Sequence, residues 1–313
     1  MTASIQPLRT ARIAESHLDL NSVAERLRVS REITHNIRQG GRIRELPATD
    51  VVMDVVDGLV TSLFPTHLGP AGLKREGIDS FVSNTLYTVA TRLADQVRRG
   101  LQFESDSLSP AEAKRQAQDI ANAVISQLPD IRATLVSDLK AALEYDPSAG
   151  SIAEILLCYR SSTAIIHYRI AHALHVRGAR LVARVISDLA HATTGIDIHP
   201  GASIGGSFFI DCGTGIVIGE TAVIGENVRL HQGVTLGASE FTAGAMARPG
   251  KGEWRHPIVE NDVVIHSGAT ILGRITIGKG SVIGGNVWLT RSVAAGSIVT
   301  QAASRHGDVP DEH

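Results

Sequence analysis

Aliphatic residues recur every six positions through the last third of the chain. They stand at Ile198, Ile204 and Ile210, resume at Ile218, Ile224, Leu230 and Leu236, and run again through Val259, Ile265, Ile271, Ile277, Ile283 and Leu289. A Gly or another small residue commonly follows, as in "IGGSFF", "IGETAV", "IGENVR", "LGASEF", "IGKGSV" and "IGGNVW". A period of six does not fit an amphipathic helix. It fits short strands joined by tight turns, three to a coil, with each aliphatic side chain pointing into a triangular prism. Gly suits the turn positions that need positive φ. An ordinary Gly-rich β-sandwich would alternate by two with irregular turns instead. The pattern therefore predicts a left-handed parallel β-helix of hexapeptide repeats.

Before the repeat the periodicity is helical. In "SLSPAEAKRQAQDIANAVISQLPDIRATLVSDLKAALEYDP", Ser109 can cap a helix, Pro110 suits its first turn and Glu112 completes a capping box. After Pro129, the residues Ile131, Leu135, Leu139 and Leu143 recur every four positions, as one helix face does. The stretch "IAEILLCYRSSTAIIHYRIAHALHVRG" reads as a further apolar helical stripe ending at Gly178, and "ARLVARVISDLAHATTG" as a last helix. Residues 1–100 read as helical without a motif. The expected fold class is α+β in two domains: an all-α domain over 1–192, a β-helix over 193–302, and a tail over 303–313.

Two interruptions break the repeat. The step from Ile210 to Ile218 is eight residues, so "DCGTGIV" carries an insertion at a turn. Between Leu236 and Val259 lies "GASEFTAGAMARPGKGEWRHPI", which predicts a loop thrown out over about 238–256. Interruptions in a repeat array commonly mark its working face. Polar residues gather there: Asp197 and His199, Asp211, Glu220, His231, and Arg255 with His256.

Charge and cysteine content narrow the setting. Thirty basic against 32 acidic residues give a formal charge of −2, which provides no field for a nucleic acid or an anionic membrane. No apolar run reaches the ~18–20 residues of a membrane span. The first residues, "MTASIQPLRTARIAESHL", lack the apolar core of a signal peptide. Two cysteines, Cys158 and Cys212, are too few for a disulfide framework, so a reducing cytoplasm is the expected home.

The strings "YDPSAG", "DIHPGASIGG", "GTGIVIGETAVIGENV", "QGVTLGA", "RHPIVENDVVI" and "GATILG" together resemble the serine O-acetyltransferase family, over residues 140–300. The helical segment ahead of the coil matches that family's plan, and its length that of the longer bacterial form. The resemblance implies transfer of an acetyl group from acetyl-CoA to L-serine, as the step toward cysteine biosynthesis. It implies a homotrimer or a dimer of trimers, with each site between neighbouring coils. A small amino acid is the implied substrate, with no metal, nucleic acid or membrane partner. By matched position, Asp146 holds the substrate amine, Asp197 orients the catalytic base and Asp211 binds substrate. Arg255 and His256 contact the amino-acid carboxylate, and Glu220 lies near the site. Gly237, Ala238, Ser267 and Gly268 match the wall that holds the pantetheine arm. Arg248, Lys251 and Lys279 either meet the phosphates of CoA or stand in solvent. The chain ends in His313, where relatives that dock into the partner sulfhydrylase carry Ile, so that complex is not expected.

One position departs from the family. Its Asp-His-Gly/Ala-Thr-Gly motif, whose His is the general base, reads "DCGTG" here, with Cys212 in the place of the base. A seryl hydroxyl needs a base whose pKa lies near neutrality, and a thiol with reference pKa ~8.5 beside carboxylates does not supply one. Several readings stand open. His256 or His231 takes over as base, or Cys212 is itself an acyl-accepting nucleophile. Otherwise the chain acts on a different hydroxy- or amino-acid substrate, or only binds ligand, or Cys212 is a small residue without a role. His231 and His266 stand where long-form relatives tend to have aromatic residues. Three hexads per coil set His231 one coil above Asp211, within touching range. A Cys, two His and an Asp raise a metal site as an alternative, without a known ligand spacing. His167, His172 and His175 fall on predicted helices and read as structural.

Overall fold

A computed structural model of the chain describes residues 19–37, 44–239 and 253–301. The expected tail, Arg248, Lys251 and most of the expected 238–256 loop lie outside the described residues. Two compact units emerge, Met1–Arg44 and Glu45–His313. In the first, α1 (Leu20–Val29) is capped by Asp19, whose carboxylate accepts from the Asn21 and Ser22 amides.

The second unit begins with helices: α2 (Thr49–Leu63), α3 (Pro65–Leu68), α4 (Ile78–Glu104), α5 (Pro110–Ser126), α6 (Leu128–Tyr145), α7 (Ile152–Cys158), α8 (Arg160–His175) and α9 (Arg180–Thr194). The capping box of α5 forms between Ser109 and Glu112. On α6, Ile131, Leu135 and Leu139 are buried but Leu143 is exposed. At about 100° per residue, three steps of four carry a side chain roughly 120° round the helix, off the buried face. The stripe read as a single helix over 152–178 breaks at Tyr159, which is extended (φ −86°, ψ 115°). Gly195 ends α9 in the left-handed conformation (φ 70°).

Among the described residues fourteen short strands follow: β1 (Asp197–Ile198), β2 (Ser203–Ile204), β3 (Phe209–Asp211), β4 (Val217–Ile218), β5 (Val223–Ile224), β6 (Arg229–His231), β7 (Thr235–Gly237), β8 (Ile258–Val259), β9 (Val264–Ile265), β10 (Thr270–Leu272), β11 (Thr276–Ile277), β12 (Val282–Ile283), β13 (Trp288–Leu289) and β14 (Ile298–Val299). They wind into three parallel sheets. The first holds β1-β4-β7-β10-β13, the second β2-β5-β8-β11, and the third β3-β6-β9-β12-β14. This is a parallel β-solenoid. Three corners join its faces. The first corner leads from the third sheet to the first, the second from the first sheet to the second, and the third from the second sheet to the third.

The hexad aliphatics fill the interior, and only Leu289, near the far end of the coil, is half-buried. A second inward column lies two residues before each of them, including Ala202, Phe208, Ile216, Ala222, Val228, Val234, Val263 and Ala269, all buried. Helices close the near end by capping carbonyls of the opening turn. Tyr168 donates to the Ala202 carbonyl (2.7 Å) and Ser187 to that of Ile198 (2.6 Å). A buried pair, Asp138 with Arg169 (2.6 Å), ties α6 and α8 to the coil. Arg169 donates to the Ile204 and Gly205 carbonyls, and Asp138 accepts from the Phe208 amide. Burial raises the Asp138 carboxyl against the pull of Arg169.

Candidate functional site

The polar residues picked out by the sequence collect at corners, where the chain leaves the sheets and its side chains are free of the prism core. At the first corner, Asp211 closes β3 and the eight-residue step follows. The backbone turns through left-handed conformations at Cys212 (φ 56°), Gly213 (φ 88°) and Gly215 (φ 80°). For a side chain other than Gly this costs about 1–2 kcal/mol, so the turn at Cys212 is strained. Asp211 pairs in register with His231 on β6. Its Oδ2 lies 3.1 Å from His231 Nδ1. His266, one coil further on, stacks on His231 with ring centroids 4.8 Å apart and planes inclined by 19°.

The Cys212 thiol is pushed up by burial and by the Asp211 carboxylate it hydrogen-bonds, with Asp146 adding to the effect. It is therefore held as a protonated thiol. Asp146 follows α6 and accepts from the Ser148 amide (2.8 Å), the Ser148 hydroxyl (2.6 Å) and the Tyr159 hydroxyl (2.7 Å). Those donors, Ser148 first, hold its carboxyl below the usual range. Asp197 stands on β1, beside the same corner, opposite Val217 of β4.

The second corner is built differently. Arg255 Nη2 lies 2.6 Å from Glu220 Oε2. Burial works to raise the Glu220 carboxyl, and the Arg255 hydrogen bond overrides it, leaving a net depression. Thr221 organises the rest. Its hydroxyl oxygen accepts from the Arg255 amide (2.9 Å) and the His256 amide (3.1 Å). Its own amide donates to His256 Nδ1 (3.0 Å), and its hydroxyl lies 2.8 Å from the same nitrogen. Nδ1 must then be the acceptor, so the neutral ring carries its proton on Nε2. His256 is buried, and burial, then Arg255, lowers its pKa to about 4. The ring lies over Gly219, where any Cβ would collide with it. His199 shares this corner. Its Nδ1 accepts from the Gly201 amide (2.9 Å), and burial, then Arg184, brings it to about 4 as well.

The residues matched to the pantetheine wall divide between the two corners. Gly237 ends β7 and leads with Ala238 into the second corner, while Ser267 and Gly268 lie at the first. Lys279 sits at the third corner, its Nζ 3.5 Å from Asp262, and joins neither group. Within one chain, Cys212 and His256 thus flank the first sheet from opposite sides.

Sequence reasoning did not single out Tyr159, Ser148 or Thr221. Tyr159 reaches Asp146 only because the helix breaks there, and the apolar stripe gives no sign of a break. Thr221 occupies a repeat position that takes any small or polar residue. His167, His172 and His175 do lie on α8, where burial lowers all three. Among the described residues no group of three or more His, Cys, Asp and Glu could hold a metal ion, and no helix is long and apolar enough to cross a membrane.

A family model for the bacterial transferase hexapeptide (six repeats) matches residues 256–291. The plasmid serine acetyltransferase of Synechococcus elongatus is 49% identical over 265 residues, covering 83% of this chain and 83% of that protein. Among solved structures, serine acetyltransferase 1 of Entamoeba histolytica in complex with L-cysteine is similar. It has a TM-score of 0.69 and 36% identity, covering 83% of this chain and 88% of that one. The Neisseria gonorrhoeae serine acetyltransferase in complex with serine has a TM-score of 0.53 and 27% identity, covering 83% and 99%.

Proposed function

This chain belongs to the serine acetyltransferase family, and from that premise we propose how its two corners recognise and acetylate L-serine. It is an acyltransferase that uses acetyl-CoA as co-substrate. The reaction moves the acetyl group to the serine hydroxyl and releases free CoA.

The observation that supports serine as acceptor is the complementary chemistry of the corners. A zwitterionic amino acid needs anions for its ammonium and donors for its carboxylate. Asp146 and Asp211 supply the first at one corner. Arg255 and the Nε2–H of His256 supply the second at the other. His256 acts as a donor in this reading: its one free lone pair is held by Thr221, and a group titrating at about 4 is a weak base at neutrality.

One chain presents the two halves on opposite sides of a sheet. A complete site therefore forms where the first corner of one copy meets the second corner of its neighbour, and a closed ring of three copies makes three such sites. The ring is a homotrimer, which can pair into a hexamer. The pantetheine arm lies in the same groove, along Ser267 and Gly268 of one copy and Gly237 and Ala238 of the next. Two free cysteines fit a reducing, cytoplasmic setting.

The test measures free CoA thiol released from acetyl-CoA in the presence of serine, threonine, homoserine or no acceptor. Serine-dependent release, exceeding that with the other acceptors, is expected. Equal release with and without serine would overturn the assignment.

A further inference from the structure

We infer that His231, oriented by Asp211, is the general base that removes the serine hydroxyl proton, doing from one coil higher what residue 212 cannot do. This rests on the acetyltransferase reading above.

A general base needs three things: an unprotonated nitrogen facing the reactants, a partner that fixes which nitrogen that is, and a ring that does not swing away. The pair in register provides the second. Asp211 Oδ2 is 3.1 Å from His231 Nδ1, and a carboxylate can only accept, so Nδ1 carries the proton and Nε2 keeps the lone pair. The stack against His266, at 4.8 Å and 19°, fixes the ring plane. Accessibility provides the first. The His231 side chain is 25% exposed and that of Asp211 39%, at the corner where the acidic residues await an ammonium group.

The contrast with His256 is one of tautomer. There a backbone amide occupies Nδ1 and leaves an N–H donor. Here a carboxylate occupies the proton on Nδ1 and leaves an acceptor. Cys212 fits the same arrangement. Its thiol hydrogen-bonds Asp211, so Asp211 receives both Cys212 and His231, and the thiol stays protonated beside the imidazole. The charged and titratable groups facing His231 are Asp211 from the coil below, His266 from the coil above and Arg229 on its own strand. Burial lowers His231, Asp211 opposes that, and His266 and Arg229 add to it, so the ring is neutral at pH 7.

The step balances without any further reagent. Serine Oγ attacks the thioester carbonyl carbon as its proton passes to His231 Nε2. The tetrahedral intermediate collapses with cleavage of the C–S bond, and the departing sulfur takes the proton back from Nε2–H. The products are O-acetylserine and CoA thiol, with His231 restored. Asp211 is a positioning residue for this proton transfer.

The experiment compares full-length wild type, His231→Gln, Cys212→His and the double variant, each checked for an unchanged melting temperature, by steady-state kinetics from pH 5.5 to 9. For His231→Gln the expected result is a fall in kcat of about 10²–10⁴-fold, a serine KM within about threefold, and loss of the acid limb of the kcat profile. Adding Cys212→His to His231→Gln should restore activity, because a base returns to the same corner. Three results would overturn the inference. In the first, His231→Gln keeps kcat within threefold and the same acid limb. In the second, an acetyl adduct accumulates on Cys212 during turnover. In the third, Cys212→His is active with serine while wild type is not, which removes His231 as base and also ends the assignment of serine acetylation to the wild-type chain. If wild type and Cys212→His both fail to release CoA with serine, the acetyltransferase reading falls and the base assignment falls with it.

Discussion

The two corners flanking the first sheet carry similar residue types and put them to opposite uses. Each holds a histidine beside a carboxylate. At the second corner the carboxylate of Glu220 is spent on Arg255, and the histidine is clamped by Thr221 and buried. At the first corner the carboxylate of Asp211 meets the histidine itself, and both remain partly open to solvent. A histidine's chemistry is thus set by what holds its Nδ1. An amide donor there makes the ring a fixed hydrogen-bond donor, while a carboxylate acceptor makes it a base. The backbone differs in the same sense. The first corner turns through left-handed residues at an inserted step, and Cys212 is among them.

Binding at the second corner and chemistry at the first should separate under mutation. Arg255→Ala removes a charged donor and should raise the serine KM by about 10–100-fold, given about 1.5–3 kcal/mol for a hydrogen bond to a charged group. Its kcat should change far less. A loss confined to kcat would show that the second corner takes part in the chemistry. Gly219→Ala tests the clamp without touching a polar group. A methyl at residue 219 collides with the His256 ring, so the ring must leave its place. The expected outcome is a serine KM about tenfold higher and a stability loss of about 1–3 kcal/mol, read by denaturant titration. Unchanged binding would mean that the His256 position does not matter to recognition. Tyr159→Phe removes one of the donors to Asp146 at the first corner. It should raise the serine KM only a few-fold, because the Ser148 amide and hydroxyl still donate to the Asp146 carboxylate and keep it in place.

Much of this contrast was legible in the chain, but not all of it. The prism was plain because the positions that recur every six residues carry only Ile, Leu or Val. The second inward column was hidden because it takes anything from Ala202 to Phe208. Counting hexads was enough to place His231 above Asp211, because register in a solenoid is arithmetic. The clamp on His256 was out of reach. Thr221 and His256 are 35 residues apart, separated by an insertion that interrupts the count. Nor could the sequence give the tautomers, since those depend on which atom faces each ring nitrogen. Leu143 misled for a simpler reason. A spacing of four drifts round a helix, and only its first few members stay on one face.

The smallest effect separates the corners by proton linkage. His256 and His199 have folded pKa values of about 4 against a reference of 6.5. Between those limits the unfolded chain binds protons that the folded chain refuses. The stability these residues allow is therefore full above pH 6.5 and is lost as pH falls toward 4. His167, His172 and His175 on α8 and His231 at the first corner are lowered too, and they act in the same direction. Asp146 behaves otherwise. Its depressed carboxyl keeps its contribution until pH falls below the ordinary carboxylate range, and loses it only there. Melting temperature should therefore decline from pH 7 to pH 4.5 in wild type, and decline less steeply in His256→Gln with His199→Gln. The slope should shrink without vanishing, because the α8 histidines remain. Tyr159→Phe, which weakens the hold on Asp146, should leave the slope over that range as it is. An unchanged slope in the double histidine variant would mean that the second corner does not hold its rings neutral, and the contrast between the corners would lose its physical basis.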